Sequence, residues 1–316
     1  MTFSIVARDT VTGDLGVAVQ SKFLAVGAVV PWARAGVGAV ATQAFANVAY
    51  GPDGLALLAG GAASREALAR LVAADDLADE RQVGIVDAHG GSASHTGRRC
   101  FAWAGARTGP GFAAQGNILA GAAVVDGLAD TFTAGGQPFP ELLVSCLAAA
   151  DAAGGDRRGR ESAALLVVRA GGGYGGGDDR WIDLRVDHHD DPIGELGRLL
   201  AFQHLYGDRP AVEELEALGE VTAGEIRAML EALGAGPGSD LGAVYRPMSG
   251  EAATRPDAAS RPFVGEPLPF PSGWDDHWQA ALLDWMAVEN LEERAAAPGW
   301  IDPQVLDVLR RRAAAG

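Results

Sequence analysis

The chain's 316 residues, 48% of them hydrophobic, can bury one large core and a second small one. Its 25 basic and 41 acidic residues leave a net charge of −16, which repels phosphate backbones and anionic bilayers, so neither nucleic acid nor a membrane is expected as a partner. Cys100 and Cys146 have no metal-ligand spacing and are too few for a disulfide framework. No basic segment precedes an apolar run near residue 1 and no run of about 18 uncharged apolar residues occurs, so the cytoplasm is the expected compartment.

Thr2 follows Met1, and so small a side chain permits removal of the methionine. An amino-terminal threonine would then carry a hydroxyl nucleophile and, in its own α-amine of pKa about 7.7–8.0, a general base. Residues 3–8 read as a strand, 9–14 (DTVTGD) as a tight turn and 15–21 as the returning strand of a hairpin. Further strands are predicted at 26–30 and 37–43, linked through Pro31 and Trp32. Helices are predicted at 52–58 and 64–74, divided by Gly60-Gly61, with Ser64 as an N-cap.

A hairpin of 82–88 and 92–96 turns about His89-Gly90-Gly91, and 111–116 ends another strand. Residues 118–132 and 141–153 carry apolar side chains at helical spacing, and Gly154-Gly155 stops the second. Strands 162–169 and 181–188, joined by the glycine run 171–177, close the region. Hairpins at both ends with helix pairs between them predict an α+β fold of two packed antiparallel sheets covered by helices, not a regular βαβ alternation.

From 193 onward the pattern is helical, through Leu196, Leu199 and Leu200, then 213–218 and 223–233. Residues 234–273 are rich in Pro, Gly and Ser and read as a linker or irregular loop. The stripe Trp274, Trp278, Trp285 and Leu291 reads as a helix docked on the body. The expected organisation is a main domain at 1–200 and a helical C-terminal region at 201–316.

Two further patterns carry little. Residues 36–41 (GVGAVA) approximate a dinucleotide fingerprint, but Thr42-Gln43-Ala44-Phe45 does not open a helix. His188-His189-Asp190-Asp191 has metal-ligand types, yet neighbours on a strand face opposite sides, so a solvated strand end is the better reading.

Five segments in order, TFSIVARD at 2–9, LGVAVQSKF at 15–23, RQVGIVD at 81–87, AQGN at 114–117 and GGDRRGRESAALLVV at 154–168, resemble the bacterial family called domain of unknown function 1028. That family is placed in the amino-terminal-nucleophile (Ntn) hydrolase superfamily. The resemblance spans roughly residues 2–200. AVENLEER at 287–294 and GWIDPQVLDVLR at 299–310 are similar to a small module often appended to that family and labelled peptidoglycan-binding. The resemblance implies a four-layer αββα sandwich whose first strand presents the terminal residue between the sheets, and superfamily chemistry of amide hydrolysis.

On that reading the Thr2 hydroxyl attacks an amide carbonyl, the α-amine relays the proton, and water releases the acyl ester, with neither metal nor organic cofactor. Lys22, the chain's only lysine, follows the strand paired with the first, and its ammonium is expected to return to Thr2, the alternative being a surface lysine. Ser21 is a candidate donor to the amine, or a local cap. Gly116 and Asn117, where a strand gives way to a helix, are candidate oxyanion donors, or ordinary turn residues. Asp156 could orient the amine, while Arg157, Arg160 and Ser162 could hold an acidic substrate; the rival is an ion-pair cluster fixing a loop.

The expected function is therefore an Ntn-type hydrolase of a C–N amide bond in a small molecule or short peptide, assembled as a homo-oligomer, with peptidoglycan fragments as a further partner. The rivals are a binding protein on the same sandwich that has lost turnover, and a structural oligomer whose apolar tail packs across subunits.

Overall fold

A computed structural model describes residues 2–241 and 263–315. Met1, on which methionine removal turns, and 242–262 of the expected linker lie outside the described residues. The chain divides into two compact units, Met1–Leu200 and Ala201–Gly316.

In chain order the first unit runs β1 (Thr2–Arg8), β2 (Leu15–Ser21), β3 (Pro31–Arg34), β4 (Gly38–Ala44), α1 (Tyr50–Ala59), α2 (Ser64–Ala73), β5 (Arg81–Asp87) and β6 (Ser92–Thr96). It continues with β7 (Gly105–Gly109), β8 (Phe112–Asn117), α3 (Ala122–Ala134), α4 (Phe139–Ala152), β9 (Ser162–Val168), β10 (Arg180–Val186) and the start of α5 (Pro192–Gly207), whose residues from Ala201 belong to the second unit. Two antiparallel sheets result, one of six strands in the order β10-β9-β2-β1-β8-β7 and one of four in the order β3-β4-β5-β6.

Alternation along the strands builds the layers. On β1, Phe3, Ile5 and Ala7 pack with Ala18, Ala114 and Leu165 against Val124 and Leu128 of α3 and Leu143 and Leu147 of α4. The opposite face sends Val6, Val17, Val19 and Leu166 onto Ala39, Ala41 and Val86 of the second sheet. That sheet's outer face, Val40, Val83 and Ile85, packs on Leu58 of α1 and Leu68 and Leu71 of α2. The fold is thus a sandwich of helices, sheet, sheet and helices, as the hairpin-and-helix order predicts. Each fully buried Leu, Ile or Phe stabilises it by about 1.5–3 kcal/mol.

Three predicted elements differ. Residues 26–30 are no strand: Val26–Ala28 is a 3-10 turn, and Val26 and Val30 fill the space between the sheets while pairing begins only at Pro31. The helix expected from 118 starts at Ala122, because Leu119 first bridges to Asp156. The helix expected at 213–218 is a turn at Val212–Glu214 followed by β11 (Glu216–Ala217), which pairs with β12 (Trp300–Ile301). Such long-range pairing leaves no local periodicity to read. The edge strand β7, rich in glycine, has no strand pattern in its sequence either.

Asp87 ends β5 and organises the turn after it. Its carboxylate accepts from the backbone N–H of Ser64 at 3.0 Å, of His89 at 3.0 Å and of Gly91 at 2.9 Å, so it tethers the start of α2. Gly91 is required, since a Cβ there would lie 2.4 Å from the carboxylate. Burial alone would raise the Asp87 pKa, but the three N–H donors outweigh it and hold the group below the usual range. A depressed pKa means that this stabilisation is complete above about pH 4 and is lost as pH falls through the folded-state value. Asp87→Ala should therefore cost about 2 kcal/mol at pH 7 and less at pH 3, read from urea titrations at the two pH values; an equal loss at both would remove the charge from the account.

The second unit contains α6 (Glu220–Ala232), α7 (Asp276–Val288) and α8 (Pro303–Ala315) with the β11–β12 pair. Asp275 caps α7 by accepting from His277 N at 3.0 Å and Trp278 N at 3.1 Å. Trp274, Trp285 and Leu291 of the expected stripe are buried. They lie in the second unit's own core with Ile226, Leu230, Leu282, Ile301 and Leu306. Among the described residues no helix is long and apolar enough to cross a membrane.

Candidate active site

At one end of the sandwich the space between the sheets changes from aliphatic to polar. Strand pairing aligns Ser162, Ser21, Thr2 and Asn117 across β9, β2, β1 and β8, and directly opposed residues share a face. Thr2 and Ser4 alternate with Phe3 and Ile5, so they point between the sheets. Thr2 is only 6% exposed, and its Oγ1 lies 3.0 Å from Ser21 Oγ, with either hydroxyl able to donate. Ser21 Oγ also accepts from Phe23 N at 3.1 Å, which fixes the turn out of β2.

Buried side-chain amides close the floor. Gln82 on β5 accepts at Oε1 from Gln43 Nε2 at 2.8 Å and from Asn117 Nδ2 at 3.0 Å. Its Nε2 donates to Gly116 O at 2.8 Å and Thr96 Oγ1 at 2.9 Å. Gln82 therefore sets the orientation of both neighbouring amides. Gln43 donates also to the Thr2 carbonyl at 3.3 Å, and Ser4 Oγ bridges Gln43 Oε1 and Gln115 Nε2, each at 2.7 Å. Gly84 makes room for this, because a Cβ would lie 2.1 Å from Gln115 Oε1. An amide nitrogen carries two N–H groups, so Asn117, with one on Gln82, has a second to offer at the Thr2 end.

The loop 155–161 crosses the ends of β2 and β8. Asp156, its carboxylate buried, accepts from Lys22 N at 3.1 Å and Arg158 N at 2.8 Å, with the Arg158 guanidinium at 3.4 Å. It fixes the exits of both strands and makes no bond to Thr2. Nor does Lys22 return to the threonine: its ammonium is held by Glu161 at 2.7 Å and by the Arg160 carbonyl at 3.0 Å. Lys22 and then His188 hold the Glu161 carboxyl below the usual range. Arg160 is paired with Asp151 at 2.6 Å. The Ser162 hydroxyl donates to Phe23 O and accepts from Val26 N at 3.1 Å, so it anchors the loop after β2 and does not face a substrate.

Gly116 is likewise corrected. It lies inside the ladder between Phe3 and Gly105 and presents its carbonyl to Gln82, not an N–H to an oxyanion. Of the residues singled out by sequence, the structure gathers Thr2, Ser21 and Asn117, with Arg157 on the loop above. Gln43, Gln82 and Gln115 were missed, and their positions on alternating strands facing the sheet interface were the available signal.

The remaining patterns are structural. Gly36–Ala39 forms the β3–β4 hairpin, which opens no helix, and His189 Nδ1 accepts from Asp191 N at 3.0 Å in the turn after β10. A cavity of about 510 Å³ that Thr2 does not line lies between α1 and α2, lined by Asn47, Tyr50, Asp53, Arg70 and Asp75 among others. Burial, with Asp75 alongside, raises the Tyr50 pKa, and Arg81 holds Asp75 low. Asp75 pairs with Arg81 at 2.9 Å and accepts from Asn47 at 3.1 Å, and Arg70 pairs with Glu66.

The chain's relatives agree with this architecture. Residues 2–196 match the model described as "Family of unknown function (DUF1028)", and residues 269–309 match that described as "Putative peptidoglycan binding domain". No curated protein matches the chain. The crystal structure of protein SPO2555 from Silicibacter pomeroyi, itself a DUF1028 protein, superposes with a TM-score of 0.59 at 30% identity, over 64% of this chain and 89% of that one. With the family model covering more than half of the sequence and the same fold in a relative, the chain belongs to the DUF1028 family.

Proposed function

We propose that the first unit is an Ntn-type hydrolase that cleaves a C–N amide bond in a small molecule or short peptide, with Thr2 as nucleophile after removal of Met1. The observation that carries this is the placement of Thr2: first residue of a central strand, between two sheets, beside the Ser21 hydroxyl and above oriented amides. The Thr2 Oγ1 adds to the carbonyl carbon and its proton passes to the α-amine, directly or through water. The free N–H of Asn117 supports the oxyanion. Collapse expels the amine with that proton, and water then cleaves the ester by the same base. The reaction is R–CO–NH–R′ + H₂O → R–COOH + H₂N–R′.

The match at 269–309 favours cell-wall fragments as ligands of the second unit. One experiment addresses both parts: intact mass spectrometry of the purified protein incubated with an amide panel that includes muropeptides, alongside sedimentation with peptidoglycan. The expected result is a chain lacking Met1, an acyl adduct on its amino-terminal peptide, and co-sedimentation. Turnover by a chain that keeps Met1 would defeat the nucleophile, and a chain left in the supernatant would defeat the tail's role.

A further inference from the structure

We infer that the Thr2 site takes N-acyl amino acids, the apolar acyl chain lying on a rim of Phe23, Leu24, Phe45, Val48 and Phe101 and the carboxylate on Arg157. This rests on the reading of Thr2 as nucleophile and adds the substrate class to it.

The rim comes first. Phe23 is 55% exposed, Leu24 61%, Phe45 65%, Val48 43% and Phe101 64%. All lie on connections at the Thr2 end. The loop with Phe23 and Leu24 leaves β2 at Ser21, and that with Phe45 and Val48 leaves β4 at Ala44. Phe101 O accepts from Ile118 N at 2.9 Å, one residue beyond β8. At the opposite end the large exposed apolar side chains are Val11 and Tyr174, each on a hairpin tip. Apolar side chains gathered around a polar floor leave burial energy uncollected until a ligand covers them.

The backbone holds the rim in place at a cost. Among the described residues of the first unit, the non-glycine positions with left-handed φ are Ala25 at 53°, Ala44 at 69° and Ile118 at 52°. One adjoins each rim segment. For a β-branched residue such as Ile118 this conformation is an outlier, and strain of this kind collects at ligand-binding sites.

Arg157 supplies the charge. Its backbone N–H is held by Ile118 O at 3.4 Å, directly after Asn117, and its neighbours Asp156 and Arg158 are pinned as described. Lys22, Arg158 and Arg160 each have an acid partner, whereas Arg157 is exposed and makes no ion pair or side-chain hydrogen bond among the described residues. In a chain with 41 acidic and 25 basic residues, a guanidinium left unpaired at the mouth of a site is suited to a carboxylate.

The test is calorimetric binding to the full-length Thr2→Ala protein, which cannot turn the probes over. N-octanoylglycine should bind roughly tenfold tighter than its neutral amide, N-octanoylglycinamide, and at least about tenfold tighter than N-acetylglycine. Arg157→Ala should erase the first difference and leave the second. Phe45→Ser with Phe101→Ser should do the reverse. Equal affinity for acid and amide, or a preference that survives Arg157→Ala, would overturn the carboxylate assignment. A dimer that these serines dissociate, with octanoyl affinity unchanged, would show that a second copy covers the rim and overturn the acyl-chain assignment. If the probes bind as expected but the unmutated protein hydrolyses none of them, the nucleophile reading fails and this one stands. Turnover of short neutral amides at the same efficiency would sink the substrate class and leave the nucleophile in place.

Discussion

Thr2→Ala should lower kcat/KM for amide hydrolysis by about 10⁴-fold or more while leaving the fold in place. Alanine also permits removal of Met1, so the α-amine base is kept and only the nucleophile is lost. The structural cost is small: one hydroxyl leaves Ser21, worth about 1 kcal/mol, and the Thr2 carbonyl that accepts from Gln43 remains. Thr2→Ser keeps the oxygen and should retain activity within about a hundredfold. The comparison needs steady-state kinetics on one amide and a urea titration of each variant. Equal turnover by the alanine variant and the unmutated chain would end the assignment. An alanine variant that fails to fold would shift the question to Thr2→Ser, whose turnover would then have to survive.

Features that are local in the chain were readable from it. The β1–β2 hairpin shows in the alternation of 3–8 and 15–21 around DTVTGD, and Gly154-Gly155 marks the end of α4, whereas Ser64 is the first residue inside α2 and not its N-cap, which is Ala63 without a side-chain cap bond. Features made by distant pairing were not. Val26 to Val30 has the composition of a strand, yet Ser162 and Asp187 capture its backbone, through Val26 N and Ala25 N, before it can pair. The site divides the same way. Thr2, Ser21 and Asn117 were found because sequence places each at a strand end, and antiparallel pairing brings those ends together. Lys22, Arg160 and Ser162 come to the same end, but their charges and hydroxyl are taken by Glu161, Asp151 and the loop at 23–26. A sequence shows which groups can reach a place, not which will be left unpaired there. Gln82 escaped notice because an isolated glutamine in a strand has no signature; its role arises from Gln43 on β4, Thr96 on β6 and Gly116 and Asn117 on β8.

Asp302→Ala should destabilise the second unit by about 3–5 kcal/mol, the largest stability loss expected from any single substitution considered. Its carboxylate accepts from Arg294 Nε at 2.6 Å, with the two side chains only 2% and 3% exposed. Arg294 Nη1 also reaches the carbonyls of His204 at 3.3 Å and Asp208 at 3.2 Å. Without the carboxylate a buried guanidinium is left uncompensated, and it cannot shed its proton. Asp302 Oδ1 further accepts from Gln304 N at 2.7 Å at the start of α8, a cap that Asp302→Asn would preserve. The asparagine variant should therefore lose about 1 kcal/mol less than alanine. Urea titrations followed by the fluorescence of Trp274 and Trp285, buried in the same core as Ile301 and Val305, give both values. A loss below about 1 kcal/mol for alanine would mean that the pair contributes no more than an exposed one. The pair also bears on the peptidoglycan binding proposed above for the second unit, since Arg294 and Asp302 both lie within the matched residues 269–309. Because these charges are spent inside the core, failure of the Asp302→Ala protein to sediment with peptidoglycan would reflect a loosened core and not a lost ligand contact.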